Sequence, residues 1–221
     1  MKRESLLLAI IVVVGLVIAC DETEECHECG CPGVICDDFR LIKNLTRRED
    51  VLWNIENAYN KRRIDWYNGV LDQNFTFFLS TGDVNGGLPA SWSRAVEVDI
   101  NTSLFDKNNT TLPCQSIFMD IRAEDGVPWI EFAPESAPTE TWYQTTLYYD
   151  FKFEISPNTY IPLTGVQAVF TVRDAGKFGN YDHHWQLVEM RDLGDATMAS
   201  ARMSAAATEP TTWGKVKSLY R

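Results

Sequence analysis

The sequence predicts an α+β domain in which amino-terminal helices pack on a strongly curved antiparallel sheet. Three observations lead there. Apolar residues recur at helical spacing as far as residue 105, and the period changes to two beyond residue 110. The longest alternating stretch, residues 142–155, has one aromatic face and one polar face.

The first predicted helix spans residues 46–63. Thr46 and Glu49 have the spacing of a capping box, and Val51, Leu52, Ile55, Ala58 and Tyr59 share one face. Lys61, Arg62 and Arg63 place positive charge where it complements the helix dipole. A second short helix is expected over residues 64–71, and a Phe-rich strand over 74–80. Residues 82–89 read as a loop by their glycines and proline. Ser91 is placed to cap a third helix running to residue 105, with Trp92, Ala95, Val96 and Ile100 inward. Residues 112–123 and 127–132 are expected to form a hairpin turning at Glu124, Asp125 and Gly126. In the ribbon 142–155, Tyr143, Leu147, Tyr149, Phe151, Phe153 and Ile155 lie on one side, and Gln144, Thr146, Asp150, Lys152 and Glu154 on the other. Two more strands follow at 165–173 and 183–192, separated by a Gly-rich turn. Residues 195–207 are a surface segment of small residues, and Trp213, Val216 and Tyr220 mark a short terminal helix.

Composition bounds the rest. The chain has 221 residues, 45% of them hydrophobic, 23% charged and 12% aromatic, which is material for one ordinary core and excludes wholesale disorder. With 31 acids against 20 bases the net charge is −11, so there is no excess positive charge for a phosphate backbone and no nucleic-acid partner is expected.

Lys2 and Arg3 precede 14 uncharged residues, from Leu6 to Ala19, a run too short to span a membrane comfortably and suited to a secretory signal. It ends in Val17-Ile18-Ala19-Cys20, which resembles the bacterial lipobox. The resemblance implies removal of residues 1–19, lipid on Cys20, and anchoring to a membrane of the bacterial cell envelope. Residues 20–38 then form a tether with seven acids and no Lys or Arg, expected to stay solvated as a spacer before a single domain at 39–221. Cys26, Cys29, Cys31 and Cys36 lie in this tether with His27 among them. Two readings compete: local disulfides in an oxidising compartment, or thiolates around a soft metal. Cys114 reads as a small buried hydrophobe.

Several segments of the domain together resemble the nuclear transport factor 2-like (SnoaL-like) superfamily over residues 46–193. They are the opening helix ending in Tyr59-Asn60-Lys61-Arg62-Arg63, the strand Phe75-Thr76-Phe77-Phe78, the segment Trp92-Ser93-Arg94, and the closing Trp185-Gln186-Leu187 with Arg191-Asp192. The resemblance implies a cystatin-like cone, with the bent sheet wrapped around the helices and a pocket at its open end. The superfamily holds isomerases, dehydratases, cyclases and members without catalysis, so the fold leaves function open.

Catalysis on such a scaffold needs an inward-facing acid or base with a tuned pKa. The candidates are Asp99, Asp120, His183 and His184. Adjacent strand residues face opposite ways, so one of the two histidines at most enters a pocket. The sequence has no recognisable Ser-His-Asp constellation, phosphate loop or metalloprotease helix, and no cofactor is expected. Binding asks for less: Trp66, Phe77, Trp92, Tyr143, Phe153 and Trp185 are the candidate apolar wall and Arg94 or His184 a polar contact. A third class is a homodimer through the wet sheet face, with Trp142 and Tyr148 exposed. The leading expectation is an envelope lipoprotein that binds a small apolar ligand or a protein partner without catalysis. A lyase or isomerase using Asp99 with one of the two histidines is the runner-up, and a pocketless interaction module the third.

Overall fold

The computed structural model describes residues 43–110, 113–122, 127–157, 159–194 and 212–221. The signal segment, Cys20, the stalk cysteines and residues 195–207 lie outside these described residues. In chain order the elements are α1 (Arg48–Lys61), α2 (Ile64–Val70), β1 (Leu71–Phe78), α3 (Thr81–Asn85), β2 (Ser91–Ser93), α4 (Arg94–Phe105), β3 (Ser116–Ile121), β4 (Ile130–Phe132), β5 (Trp142–Ser156), β6 (Thr159–Asp174), β7 (Trp185–Gly194) and α5 (Trp213–Leu219). Helices therefore come early and strands late, the predicted α+β order.

The predicted caps shift by small amounts, each for a local reason. Arg47 rather than Thr46 is the N-cap of α1, so the residue three positions on is Asp50; its carboxylate accepts from the Arg47 amide at 2.9 Å and from the Thr46 hydroxyl at 3.3 Å. Glu49, the expected partner, instead accepts from Trp129 Nε1 at 3.0 Å. Ser91 caps nothing: residues 91–93 stay extended because Trp92 pairs with Phe77 on β1, and the helix waits until Arg94. The inner face of α4 is Glu97, Ile100, Asn101, Leu104 and Phe105; of the expected inward set Ile100 lies on it, Trp92 is buried from β2, Val96 is half-buried and Ala95 is exposed. The stretch expected as a loop after residue 82 begins with a single helical turn, α3, because the Ser80 hydroxyl accepts from the Asp83 amide at 3.2 Å.

The sheet runs β2-β1-β7-β6-β5-β3, with β4 also on β5. The hairpin expected across residues 112–132 is not formed. Strand β3 pairs with β5 from Ser116↔Glu154 to Ile121↔Tyr149, and β4 pairs with Gln144 to Trp142 of the same strand. At 15 residues, β5 is long enough to hold both short strands end to end on one edge. All pairs are antiparallel except β1 with β7, which the chain reaches from opposite ends of the domain. A bulge between Tyr149 and Phe151 bends the β5–β6 ribbon. The extra residue falls on β6, where Gly165 takes the left-handed φ of 65° that glycine tolerates, and its amide donates to Asp150 Oδ1 at 2.5 Å.

That bend turns the aromatic side of β5 onto the early helices, as the alternation predicts. Tyr149, Phe151 and Phe153 are buried, and the Tyr59 ring of α1 meets Phe151 edge-on at 5.2 Å. Val51, Leu52, Ile55 and Ala58 complete the helical side of this core. Thr146, Tyr148 and Lys152 face outward. Trp142, expected to be exposed, is buried against Phe132 at 6.3 Å, and its Nε1 donates to Glu140 at 2.8 Å. Cys114 is buried, as expected of a small hydrophobe. The terminal helix docks through Trp213, Val216 and Tyr220. The side chain between them, Lys217, is also fully buried.

Candidate functional site

The hollow between α1, α2, α4 and the bent sheet is filled by α5, which leaves a closed core with a charged centre. Glu97 projects from the inner face of α4 and Lys217 from α5, and the two side chains form an ion pair with no exposure to solvent. The same carboxylate oxygen, Oε1, accepts from Tyr67 Oη at 2.7 Å and from Asn101 Nδ2 at 2.9 Å. Asn101 is itself fixed by the Tyr59 hydroxyl, which donates to its Oδ1 at 2.6 Å. Three elements distant in sequence thus orient one carboxylate. The other oxygen, Glu97 Oε2, is buried without a hydrogen-bond partner.

The ammonium is held by rings as well as by charge. Lys217 Nζ lies 3.8 Å from the Phe77 ring centroid and 4.7 Å from that of Trp213. Phe77 stacks on Trp92 at 5.6 Å. Trp213 in turn stacks on Phe151 at 4.3 Å and on Phe153 at 5.4 Å, with Tyr59 edge-on at 5.7 Å. Desolvation lowers the Lys217 pKa, and Glu97 opposes that shift.

Two more carboxylates approach from the α3 and β7 side. Asp83 is buried, bonded to Ser80 Oγ at 2.9 Å and to the Thr212 hydroxyl at the start of α5. Asp192 on β7 accepts from the Gly194 amide through Oδ1 at 2.9 Å, while its Oδ2 has no partner. Burial, with the Asp83 charge adding to it and the Gly194 amide and Lys217 opposing, raises Asp192 to about 6. The Tyr149 hydroxyl is also unpartnered, and burial together with Asp192 raises its pKa well above the ordinary 10.0.

The structure divides the residues singled out in the sequence among several places. Phe77 lies under the Lys217 ammonium, Trp92 stacks on Phe77 and Phe153 on Trp213, and all three are buried as core. Tyr143 and Trp185 meet edge-on at 5.4 Å at a half-buried position elsewhere, where the Arg48 guanidinium lies 4.4 Å from the Tyr143 ring and 5.6 Å from Trp185. Trp66 packs beneath Arg63 at 4.8 Å, and Arg94 donates to the Asn68 side chain at 2.6 Å.

The catalytic candidates do not converge. Asp99 lies on the exposed face of α4, two residues from Glu97, and Asp120 is exposed on β3. His183 is exposed and bonded through Nδ1 to Asp174 at 2.5 Å, while the His184 amide donates to the same carboxylate and its ring stacks on the exposed Phe178 at 4.6 Å. Both histidines precede β7, so strand alternation does not govern them. The groups that do enter the hollow, Glu97 and Lys217, are ones the motif reading passed over, although helical spacing carried the signal. Glu97 is three and seven residues from Ile100 and Leu104, and Lys217 is four residues from Trp213 and three from Tyr220, so each stands in the apolar stripe of its helix.

Among the described residues, no group of three or more His, Cys, Asp or Glu is placed to hold a metal ion, and no helix is long and apolar enough to cross a membrane. The cysteines of the stalk lie outside that description.

No protein-family model and no curated protein matches the sequence. The chain is similar in fold to solved structures of low identity. A nuclear transport factor 2-like superfamily protein from Salmonella enterica serovar Typhimurium is 9% identical over 69% of this chain and 92% of its own, with a TM-score of 0.41. AusH from Aspergillus nidulans is 12% identical over 68% of this chain and 86% of its own, at a TM-score of 0.39. A conserved protein from Planctomyces limnophilus is 11% identical over 65% of this chain and 90% of its own, at 0.43. These are likenesses of architecture, and they say nothing of activity.

Proposed function

We propose that the chain is a cell-envelope lipoprotein, anchored through a lipid on Cys20, whose domain binds a small, largely apolar ligand without catalysis in the hollow between α4, α5 and the sheet. The observation that carries this reading is the buried Glu97–Lys217 pair. The Glu97 carboxylate already has a partner of opposite charge and two further oriented donors, Tyr67 and Asn101, which is the condition of a recognition group rather than of a free base. The walls around it are aromatic, as a site for an apolar ligand requires. Mass-spectrometric analysis of small molecules released from the purified full-length protein should find one organic compound enriched over an unrelated protein purified in the same way. A protein that carries none, and that none of a panel of apolar compounds stabilises thermally, contradicts the reading. For the anchor, Cys20→Ser should move the protein from the membrane fraction into the soluble one, and continued tight attachment would refute lipidation there.

A second reading is a lyase or isomerase, favoured by Asp192 rather than by Asp99. A buried carboxylate raised to about 6, close to the charge-sensitive Tyr149 hydroxyl, is suited to proton transfer near neutral pH. Under this reading the released compound is turned over by the native protein, and Asp192→Asn binds it with unchanged affinity but does not convert it. Binding without turnover in the native protein leaves the non-catalytic reading standing.

A further inference from the structure

We propose that α5 fills the hollow as a built-in substitute for a ligand, and that the site beneath it takes a primary arylalkylamine, with the ammonium on Glu97 and the ring in the slot of the Trp213 indole. This rests on the reading of the hollow as a binding site and adds the class of ligand.

The site for the ammonium is built by elements other than α5. Glu97 comes from α4, its orienting donors from α2 and α4, the Tyr59 brace from α1, and the ring under the cation, Phe77, from β1. A carboxylate beside an aromatic face is a receptor for an organic cation. Glu97 Oε2, buried and unpartnered, offers a second acceptor that the single Lys217 ammonium leaves unused. The slot for the ring is equally independent of the helix that fills it. Phe151 and Phe153 form one wall and the edge of Tyr59 another, and a flat bicyclic ring fits between them. The Lys217 ammonium sits 4.7 Å from the centroid of the Trp213 ring, a separation that two methylenes bridge within one small molecule.

Stability alone does not explain the choice of residues. Taking an ammonium and a carboxylate out of water costs more than an apolar pair of the same volume in a packed interior. A terminal helix serving only as a clasp would carry an apolar residue at position 217, in line with Trp213, Val216 and Tyr220. The helix has seven residues, and its indole and its ammonium are held in the core beside the buried Val216 and Tyr220 and the Thr212 bond to Asp83, so a molecule supplying the same ring and the same cation competes for two of the contacts that hold it. Affinity in the unaltered protein is reduced by the fraction of molecules in which α5 has left the hollow, and removing the competing cation restores it.

Tryptamine is the probe, with 3-methylindole and indole-3-propionate as controls that keep the ring and replace the cation. Calorimetry on the full chain should show Lys217→Ala binding tryptamine at least tenfold more tightly than the unaltered protein, with no comparable gain for either control. Because that substitution leaves Glu97 without its partner and can unfold the domain, a second measurement uses the unaltered protein. Saturating tryptamine should accelerate hydrogen exchange of the α5 amides and leave those of β5 unchanged. Equal gains for 3-methylindole and tryptamine would overturn the amine assignment while leaving the hollow as a binding site. No binding of any of the three, with α5 exchange unaffected in the unaltered protein, would overturn the substitution of ligand by helix, whereas the reading on which it rests falls only if the purified protein also carries no compound and no apolar compound stabilises it.

Discussion

Asp192 shows how one buried atom couples the interior to pH. Its pKa of about 6 stands above the ordinary 3.8 because burial penalises the charged form, so the folded chain holds this proton more tightly than the unfolded one. The stability it contributes is complete below pH 4 and is lost as pH rises through 6, by on the order of 3 kcal/mol for a shift of about two units. Asp192→Asn keeps an acceptor for the Gly194 amide and removes the charge. Urea unfolding at pH 4, 5.5 and 7 should show the variant gaining on the parent by that amount across the window, and a difference independent of pH would contradict the assignment. A second residue-scale test is at Gly214, where an added methyl would lie 2.9 Å from Asp83 Cγ and 3.1 Å from Leu79 Cδ2. Alanine gains up to about 1 kcal/mol of helix propensity, but overpacking against a buried carboxylate costs about 1–3 kcal/mol. Gly214→Ala should therefore lower the urea midpoint, and a raised midpoint would show that the helix packs less closely than described.

Strand β3 shows at the scale of elements what residue spacing reveals and what it leaves out. Its own alternation, with Ile117, Met119 and Ile121 inward, is visible in the sequence because one face is buried and the other wet. Its partner is not, because residues 127–132, next in the chain, and residues 142–155 both read as strands that could lie beside it, and it is the length of β5 that decides the pairing. What covers the free edge of β3 is a further long-range arrangement. The Asn60 side chain of α1 donates to the Met119 carbonyl at 2.9 Å and accepts from the Met119 amide at 2.7 Å, and Glu56 accepts from the Ile121 amide at 2.8 Å. A helix thus serves as the missing neighbour strand. Asn60→Ala leaves a buried amide and carbonyl unpaired and should cost about 2 kcal/mol, read as a lower urea midpoint. It should also expose an edge that pairs with other copies, seen as concentration-dependent association by light scattering. A variant as stable and as monomeric as the parent would show that water satisfies this edge equally well.

Over the whole molecule, the hollow is closed by residues 120 positions apart in the chain, and this is why its centre was the least legible part. The β5 ribbon announces its buried face locally, whereas Glu97 and Lys217 each look like a solvated charge until both helices are seen to share one interior. Helical spacing places each in an apolar stripe but cannot say that the two stripes meet. The energetic consequence is testable as a pair. Lys217→Met fills similar volume but strands the Glu97 carboxylate, which should cost about 3–5 kcal/mol. Glu97→Gln retains an acceptor for Tyr67 and Asn101 and strands the ammonium instead, at a comparable cost. Combining the two removes both charges and leaves the hydrogen bonds of the hollow in place, so the double variant should be more stable than either single one. In a double-mutant cycle that difference is a coupling energy of about 2 kcal/mol or more, beyond what independent sites show. Additive losses would mean that the carboxylate and the ammonium do not meet inside the hollow, and the charged centre on which its recognition chemistry depends would not exist.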